Sequence, residues 1–477
     1  MVKALLFAMP ESTSGYAMAG FLPNLGIISI AGNVNSDVCD VKVADLLLVK
    51  RGLEDYVLGL LRRQSPDLVG LSCMSFQYHS ALKLAKLVKT YDKNIFVVIG
   101  GYHPTLMYEE IAASPGSQFI DFIVRGEGEA TFNELVTAMH AERGYDKITG
   151  LSYKTAGVFH HNPPRDLLPL DAIQLPKRNA RLITKGFRAF GLPADVIETS
   201  RGCTYNCKFC TIRYMYGRTF RKYEISRIIA DIKDAYEHGA RWLMITDDNI
   251  TLDLQRLEML CEEIVAAKLS SIHYLVQATV EGIAHSEKLV KKMADAGVKI
   301  VFLGIEGVSK ANLDFLGKKT TTSDDTRKAV KYLRDNGIAS FGGFIVGNPD
   351  DDEESLWHVF NTARDLRIDA PSFSILIPHA KTEIRRELIA EGLVTNADDF
   401  STYHSGFANI KTAHLKPEEI DRIVKEMYDA YQNNLAYIRF TQLRRIYPTF
   451  FWKLVAKQLP SVVLDLMKNG GGSIQAF

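Results

Sequence analysis

The chain has 477 residues, 47% of them hydrophobic and 24% charged, with a formal net charge of +1. That length allows two or three domains with ample core, and the composition excludes intrinsic disorder. A balance of 57 basic against 56 acidic residues supplies no global field to steer the protein to nucleic acid or to a membrane.

The N-terminus, Met1 to Pro10, is too short and too soon interrupted for a signal peptide, and it reads as a buried strand. No run is long and apolar enough to span a bilayer. Six sparse cysteines argue against a disulfide framework and for a reducing, cytoplasmic setting. Residues 1–150 alternate short apolar runs at 2–7, 39–44, 68–72, 95–99 and 119–125 with helical patterns such as 53–63 and 80–90. Such alternation predicts a doubly wound, flavodoxin- or Rossmann-like parallel sheet, which takes ligands at the carboxyl ends of its strands.

Residues 151–194 read as a linker, broken by Pro163, Pro164, Pro169 and Pro176, with a short hairpin pairing 151–153 and 158–160. A second alternating block runs over 195–380. Its strands fall at 196–199, 242–246, 273–278, 300–305, 340–346 and 373–377, and its helices at 226–237, 254–267, 286–296, 322–336 and 353–366. Six such units make a partial (β/α)6 barrel, whose site lies at the carboxyl ends of the strands. The last part, 381–477, reads as helical. From residue 431 onward Arg439, Arg444, Arg445, Lys453, Lys457 and Lys468 face a single acid, Asp465, and alternate with aromatics. That mixture suits either an interfacial helix at anionic lipid or an ordinary amphipathic helix packed on the barrel.

The most informative segment directly follows the first barrel strand. Cys203, Cys207 and Cys210 are spaced C-x3-C-x2-C, with Phe209 before the last. Three thiolates cannot close a tetrahedral zinc site, and no fourth ligand follows nearby. A four-iron cluster on three cysteines leaves one iron open. Cys39, Cys73 and Cys261 are isolated and read as small core hydrophobes.

This run resembles the signature of the radical S-adenosylmethionine (SAM) enzymes. The resemblance implies a [4Fe-4S] cluster on the three cysteines, SAM on the open iron, and reductive cleavage to a 5'-deoxyadenosyl radical. It continues along the barrel. The Thr246-Asp247-Asp248-Asn249 turn matches the place where SAM's ammonium is held, a role open to Asp247 or Asp248, either of which could instead be a helix cap. Glu306 matches a ribose contact, and Gly342 to Gly347 with Phe209 match the adenine wall, so Phe209, Glu306 and Gly347 join the expected SAM contacts. Two matches fail. Thr279 stands where relatives often carry arginine, leaving the SAM carboxylate to another cation such as Arg213 or Arg218. His379-Ala380-Lys381-Thr382 replaces a frequent P-G-T turn on the substrate side.

The first 140 residues resemble the cobalamin-binding domain that precedes the barrel in many radical SAM proteins. The matching positions are Ser72, the Gly100-Gly101-Tyr102-His103 segment and the Gly126-Glu127-Gly128 segment. Ser72, Gly100, Gly101, His103, Gly126 and Glu127 are thus expected at cobalamin. The D-x-H-x-x-G motif that holds cobalt from below is absent. The alternative is a flavodoxin-like domain that binds nothing.

With both cofactors the resemblance implies a class B radical SAM methyltransferase. A carbon of a small hydrophobic substrate, a hopanoid-like lipid first, would lose a hydrogen atom and gain the methyl of methylcobalamin. An external low-potential donor of flavodoxin or ferredoxin type is implied, and no nucleic acid. No side-chain catalytic base is required, and none is assigned. Relatives in this class include hopanoid methylases and bacteriochlorophyll-pathway enzymes. The alternatives are an oxidative cyclase or carbon–carbon coupling enzyme, and an iron–sulfur/corrinoid sensor without turnover.

Overall fold

The computed structural model describes residues 1–12, 20–318, 321–432, 437 and 440–453. Its strands are β1 (Val2–Ala8), β2 (Gly20–Phe21), β3 (Cys39–Asp45), β4 (Leu68–Ser72), β5 (Phe96–Gly100), β6 (Phe122–Val124), β7 (Leu151–Thr155), β8 (Val158–His161), β9 (Arg188–Ala189), β10 (Leu192–Ile197), β11 (Ser200–Arg201), β12 (Arg221–Lys222), β13 (Trp242–Ile245), β14 (His273–Thr279), β15 (Val298–Glu306), β16 (Ala339–Val346) and β17 (Ala370–Ile375).

The first sheet has the order β3-β1-β4-β5-β6-β7-β8. Strands β3, β1, β4, β5 and β6 are parallel. Helices cover both faces, so β1 is buried at every position but Lys3, as a parallel sheet requires. The helix Leu53–Gln64 shows why these connections form. Glu54 and Asp55 open it and Arg62 and Arg63 close it, complementing the helix dipole, while Val57, Leu60 and Leu61 face the sheet.

The second sheet has the order β17-β16-β15-β14-β13-β10-β9-β2. Strands β10 and β13 to β17 run parallel and carry a helix after each crossover. This is the expected partial barrel. The expected 119–125 strand shrinks to β6, because Pro115–Phe119 forms a 3-10 turn.

The 151–194 stretch is more structured than a linker. Its hairpin is antiparallel to β6 and completes the first sheet. Its later part is anchored by Arg178, which is fully buried and donates to Asp195 at 3.0 Å, Asp231 at 2.6 Å and Asp234 at 2.7 Å. Strand β9 pairs with β10 and with β2, so the N-terminal segment itself edges the barrel sheet. The two units interlock through chain pairings that composition does not reveal.

The C-terminal part has helices Glu383–Ala390, Pro417–Gln432 and Leu443–Ile446, with irregular chain between the first two. Two of its aromatics turn inward. Tyr447 and Phe451 are buried against Phe190, Trp242 and Leu275. Trp242 Nε1 donates to the Tyr447 hydroxyl at 3.0 Å, and Phe190 stacks on Tyr447 at 4.3 Å. Among the described residues these contacts favour the helix packed on the barrel over the interfacial one. Arg439, Lys457, Asp465, Lys468 and the Gly470 to Gly472 tail lie outside the described residues. Among the described residues no helix is long and apolar enough to cross a membrane.

Candidate active site

The three cysteines occupy the loop that leaves β11, at the carboxyl end of the first barrel strand. All three are free and partly exposed, whereas Cys39, Cys73 and Cys261 are buried. The loop is fixed by Lys208 N donating to Leu316 O at 3.0 Å, Cys210 N to Cys207 O at 3.2 Å, and Gly202 N to Asp248 Oδ2 at 3.0 Å. Burial pushes the Cys207 thiol up to about 11 and the Cys210 thiol up to about 12, with neighbouring thiols adding to each shift. Thiolates are the ligand form, so metal charge must offset this cost. Among the described residues no three His, Cys, Asp or Glu groups converge tightly enough for a single metal ion. A soft, three-thiolate donor set suits an iron–sulfur cluster, whose ligated irons are separate atoms.

Arg201 stands two residues before Cys203 and ties this loop to the first domain. It donates to Glu127 at 2.8 Å, Glu129 at 2.7 Å and Glu198 at 2.7 Å. Arg221 reinforces Glu127 at 2.8 Å, and Ser29 donates to Glu129 at 2.8 Å. Glu127, expected at cobalamin, is thereby also an ion-pair partner of the cysteine loop. Both of its oxygens are engaged by Arg201, Arg221 and Leu168 N.

The expected SAM contacts divide. Asp247 is buried and accepts from Thr199 N at 2.6 Å and from the Thr199 and Ser200 hydroxyls. It holds the end of the first barrel strand and has no free face for an ammonium. Asp248 accepts from Gly202 N and lines an open cavity, and burial pushes its carboxyl up to about 6. The capping role falls instead to Asn249, which accepts from Thr251 N at 3.1 Å, and to Asp253, which caps the helix Leu254–Ala266. Glu306 has a left-handed φ of 67° at a register shift between β15 and β16. Such a bulge re-aims a side chain, and backbone strain of this kind collects at functional sites. Phe209 packs against a cluster that includes Ile345 of β16, Leu316 and Ile384. Gly347 N–H donates to Asp351 Oδ2 at 2.9 Å, and a Cβ on Gly347 would stand 3.3 Å from Ile410 Cδ1. Arg213 pairs with Asn206 and Glu383, and Arg218 donates to Thr204 O. The cation the sequence did not reveal is Lys318, 6% exposed, with Nζ 3.6 Å from Glu306 Oε1.

Ser72, Gly100, Gly101, Gly126 and Glu127 line one cavity of about 370 Å³ at the carboxyl edge of the first sheet, shared with Asp248, Arg201 and Tyr216. Gly101 has φ 102°, and a Cβ there would lie 2.7 Å from Cys73 O, so only glycine lets this turn form the cavity floor. A glycine cradle at a doubly wound sheet's strand ends fits a large flat cofactor. His103 is not on that wall. It is 2% exposed, contacts Ser75 Oγ at 3.2 Å and packs between Tyr78 and Phe400. Burial holds its imidazole down to about 4.

A second cavity of about 750 Å³ lies between the barrel's inner face (Phe302, Phe341, Ser372, Ser374), the Met74-Ser75-Phe76 loop, residues 403–407 and the helix Pro417–Gln432. Thr211, next to Cys210, and His379 also line it. Met74 and Tyr102 line both cavities. Burial pushes the Tyr102 phenol well above its ordinary value, with Tyr216, Asp248 and Cys210 nearby. The junction of both cavities therefore lies beside the cysteine loop. Tyr102 opens the short helix Tyr102–Leu106, and nothing local in the sequence sets it apart from His103 beside it.

The radical SAM superfamily profile matches residues 197–363, and the B12 binding domain profile matches residues 16–136. An uncharacterised methyltransferase of Pyrococcus horikoshii is 31% identical over 431 residues, covering 90% of this chain and 92% of that protein. The chain belongs to the B12-binding radical SAM methyltransferase family. An anaerobic magnesium-protoporphyrin IX monomethyl ester cyclase of Rubrivivax gelatinosus is 27% identical, over 98% of this chain and 82% of its own length. The structure of the radical SAM methyltransferase TsrM from Kitasatospora setae shares the fold, with a TM-score of 0.71 at 17% identity, covering 91% of this chain and 90% of that one. This radical SAM enzyme therefore uses a [4Fe-4S] cluster, SAM and cobalamin.

Proposed function

We propose that this radical SAM enzyme methylates a carbon of a hydrophobic substrate held in the 750 Å³ cavity, with a hopanoid-like lipid as the first substrate to try. The observation that carries this reading is the meeting of the two cavities at Met74 and Tyr102, beside the cysteine loop. A methyl donor in one and an acceptor in the other would face each other there. When bound, the cluster with SAM supplies hydrogen-atom abstraction and methylcobalamin supplies the methyl group.

The chain's own residues would bind, orient and exclude water. Cys203, Cys207 and Cys210 would hold the cluster. Asp248, Glu306 and Phe209 would hold SAM, and Ser72, Gly100, Gly101 and Gly126 would receive cobalamin. Phe190, Phe302, Phe341 and Tyr428 give the acceptor an aromatic wall, and Ser372, Ser374 and His379 offer hydrogen bonds to a polar group on it. Burial holds the His379 imidazole down to about 4, so it is neutral at physiological pH. A large apolar wall supports a lipid or tetrapyrrole acceptor, and a hopanoid C-3 methylase of Methylococcus capsulatus is among the relatives. An external flavodoxin- or ferredoxin-type protein would deliver the electrons.

The cyclase relative, matched along 98% of this chain, favours a second reading: ring closure on a similar substrate. Anaerobic, cluster-reconstituted protein with cobalamin, SAM and a low-potential reductant separates the two. 5'-Deoxyadenosine and S-adenosylhomocysteine would both form in wild type, rise with the acceptor, and vanish in a Cys203→Ala, Cys207→Ala, Cys210→Ala variant. Deoxyadenosine without S-adenosylhomocysteine would identify ring closure or coupling. Neither product, with all cofactors verified as bound, would identify a sensor.

A further inference from the structure

We infer that His379 selects the acceptor by hydrogen-bonding a hydroxyl group on it, at the end of the 750 Å³ cavity beside the cysteine loop. The inference rests on the reading of that cavity as the acceptor's site. It narrows the acceptor to an apolar skeleton carrying an uncharged oxygen, neither a bare hydrocarbon nor a carboxylate.

The backbone of His379 is fixed while its ring is uncommitted. The turn Pro378-His379-Ala380-Lys381-Thr382 follows β17. His379 N–H donates to Ile377 O at 2.8 Å, and His379 O accepts from the Thr382 hydroxyl at 2.6 Å and from Thr382 N at 3.2 Å. Arg385 donates to Pro378 O at 2.9 Å. Among the described residues the imidazole itself makes no hydrogen bond, and it borders the cavity. A neutral imidazole carries one donor and one acceptor, and leaving both unpaired away from bulk water costs free energy that a bond to a ligand offsets. A hydroxyl likewise gives one hydrogen and accepts another. The turn is also tied to the cysteine loop. Thr382 caps the helix Glu383–Ala390, whose Ile384 N donates to Lys208 O at 3.4 Å and whose Glu387 pairs with Lys208 at 2.8 Å. Lys208 lies between Cys207 and Cys210, so an oxygen held at His379 fixes which part of the acceptor is presented to that loop.

Other polar groups of the cavity are committed or stand apart. Ser372 and Ser374 contact each other at 3.2 Å, and the Tyr428 hydroxyl accepts from Phe373 N at 2.9 Å. His404 packs edge-on against Phe76 and Phe407, with ring centroids 6.0 and 4.9 Å apart. The charged lining residues Asp421, Lys425 and Asp429 all belong to the helix Pro417–Gln432, where Lys425 and Asp429 are exposed. The cations beside the turn are paired elsewhere. Arg385 donates to Ala397 O at 2.6 Å and the Tyr403 hydroxyl at 2.7 Å as well as to Pro378 O, and Lys381 pairs with Glu110 at 2.7 Å. Burial, with the Arg385 charge nearby, keeps the His379 imidazole neutral. A carboxylate placed here would be desolvated with no cation to pair with it, whereas a hydroxyl needs none.

The test measures three probes of one skeleton, androstanol, androstane and androstane carboxylate. Each is bound by equilibrium dialysis to the full chain loaded with cluster and cobalamin, without SAM. Wild type should bind the alcohol roughly 2–10-fold more tightly than the hydrocarbon, the range of one neutral hydrogen bond, and the carboxylate most weakly. H379F should lower the alcohol to the level of the hydrocarbon and leave the hydrocarbon unchanged. H379Q, which keeps a donor and an acceptor, should restore part of the preference. Equal binding of alcohol and hydrocarbon by wild type overturns the inference without any variant, and so does a carboxylate that binds best. An H379F protein that keeps the preference, or that weakens all three probes alike as loss of a merely structural histidine would, also overturns it. Each of these results leaves the cavity standing as the acceptor's site. Binding of none of the three by wild type overturns that reading and the inference with it.

Discussion

Replacing Arg201 by leucine tests whether the first domain holds the cysteine loop. Arg201 is 7% exposed at its side chain and is paired with Glu127, Glu129 and Glu198, whose side chains are 4%, 7% and 15% exposed. Removing the guanidinium leaves three buried carboxylates with reduced compensation. Arg221 still serves Glu127, and Ser29 still serves Glu129, so the loss is less than three separate pairs would give. Breaking a buried pair by removing one partner costs about 3–5 kcal/mol. At a few degrees per kcal/mol for a domain of this size, melting should fall by roughly 6–20 °C. Scanning calorimetry of R201L, E129Q and the double variant reads both terms. The double variant should be less damaged than the sum of the singles, with a coupling of roughly 1–3 kcal/mol. The R201L protein should also bind cobalamin and the cluster less well, since one residue braces both sites. A loss under about 1 kcal/mol, the level of an exposed ion pair, or strict additivity would refute the reasoning.

Other outcomes follow from the same geometry. Burial holds the His103 and His379 imidazoles down to about 4, against an ordinary value of about 6.5. The unfolded chain then binds more protons between those values, so stability falls as pH drops through roughly 6.5 to 4, by up to about 3 kcal/mol per histidine, and is unaffected above that window. Urea unfolding of H103F across pH 4–8 should show a flatter acid limb than wild type. Gly101→Ala puts a Cβ 2.7 Å from Cys73 O at φ 102°; cobalamin retention on gel filtration should fall while the barrel's iron content is kept. Phe451→Ala removes a buried ring from the barrel's floor, and thermal stability should drop by about 3–5 kcal/mol. A surface membrane contact would instead show no loss in buffer.

Much of the layout was legible because it rests on local rules. Alternating apolar runs and helical faces marked both sheets, and the strand ends located the cysteine loop, since β-to-helix crossovers fix which end of a strand carries a site. Boundaries were less legible. The hairpin was legible as two paired strands, but it read as part of a linker because nothing local says that β6 is its partner. Asp247 and Asp248 are adjacent and chemically alike, yet one faces Thr199 and Ser200 while the other faces a cavity. Both lie in the loop after β13, and only the packing around that loop separates them.

The sequence by itself determined the spacing of the three cysteines, the two-sheet architecture and the family, because each depends on residue patterns within a single segment. The tertiary structure decided what depends on distant segments meeting. It joined Glu127, on the cavity wall, to Arg201 as an ion-pair partner, placed His103 in a wall between Tyr78 and Phe400, and brought Lys318 to Glu306. A side chain's charge is written in the chain, but the partner that fixes its role comes from folding, since burial and pairing are properties of the assembled space around it.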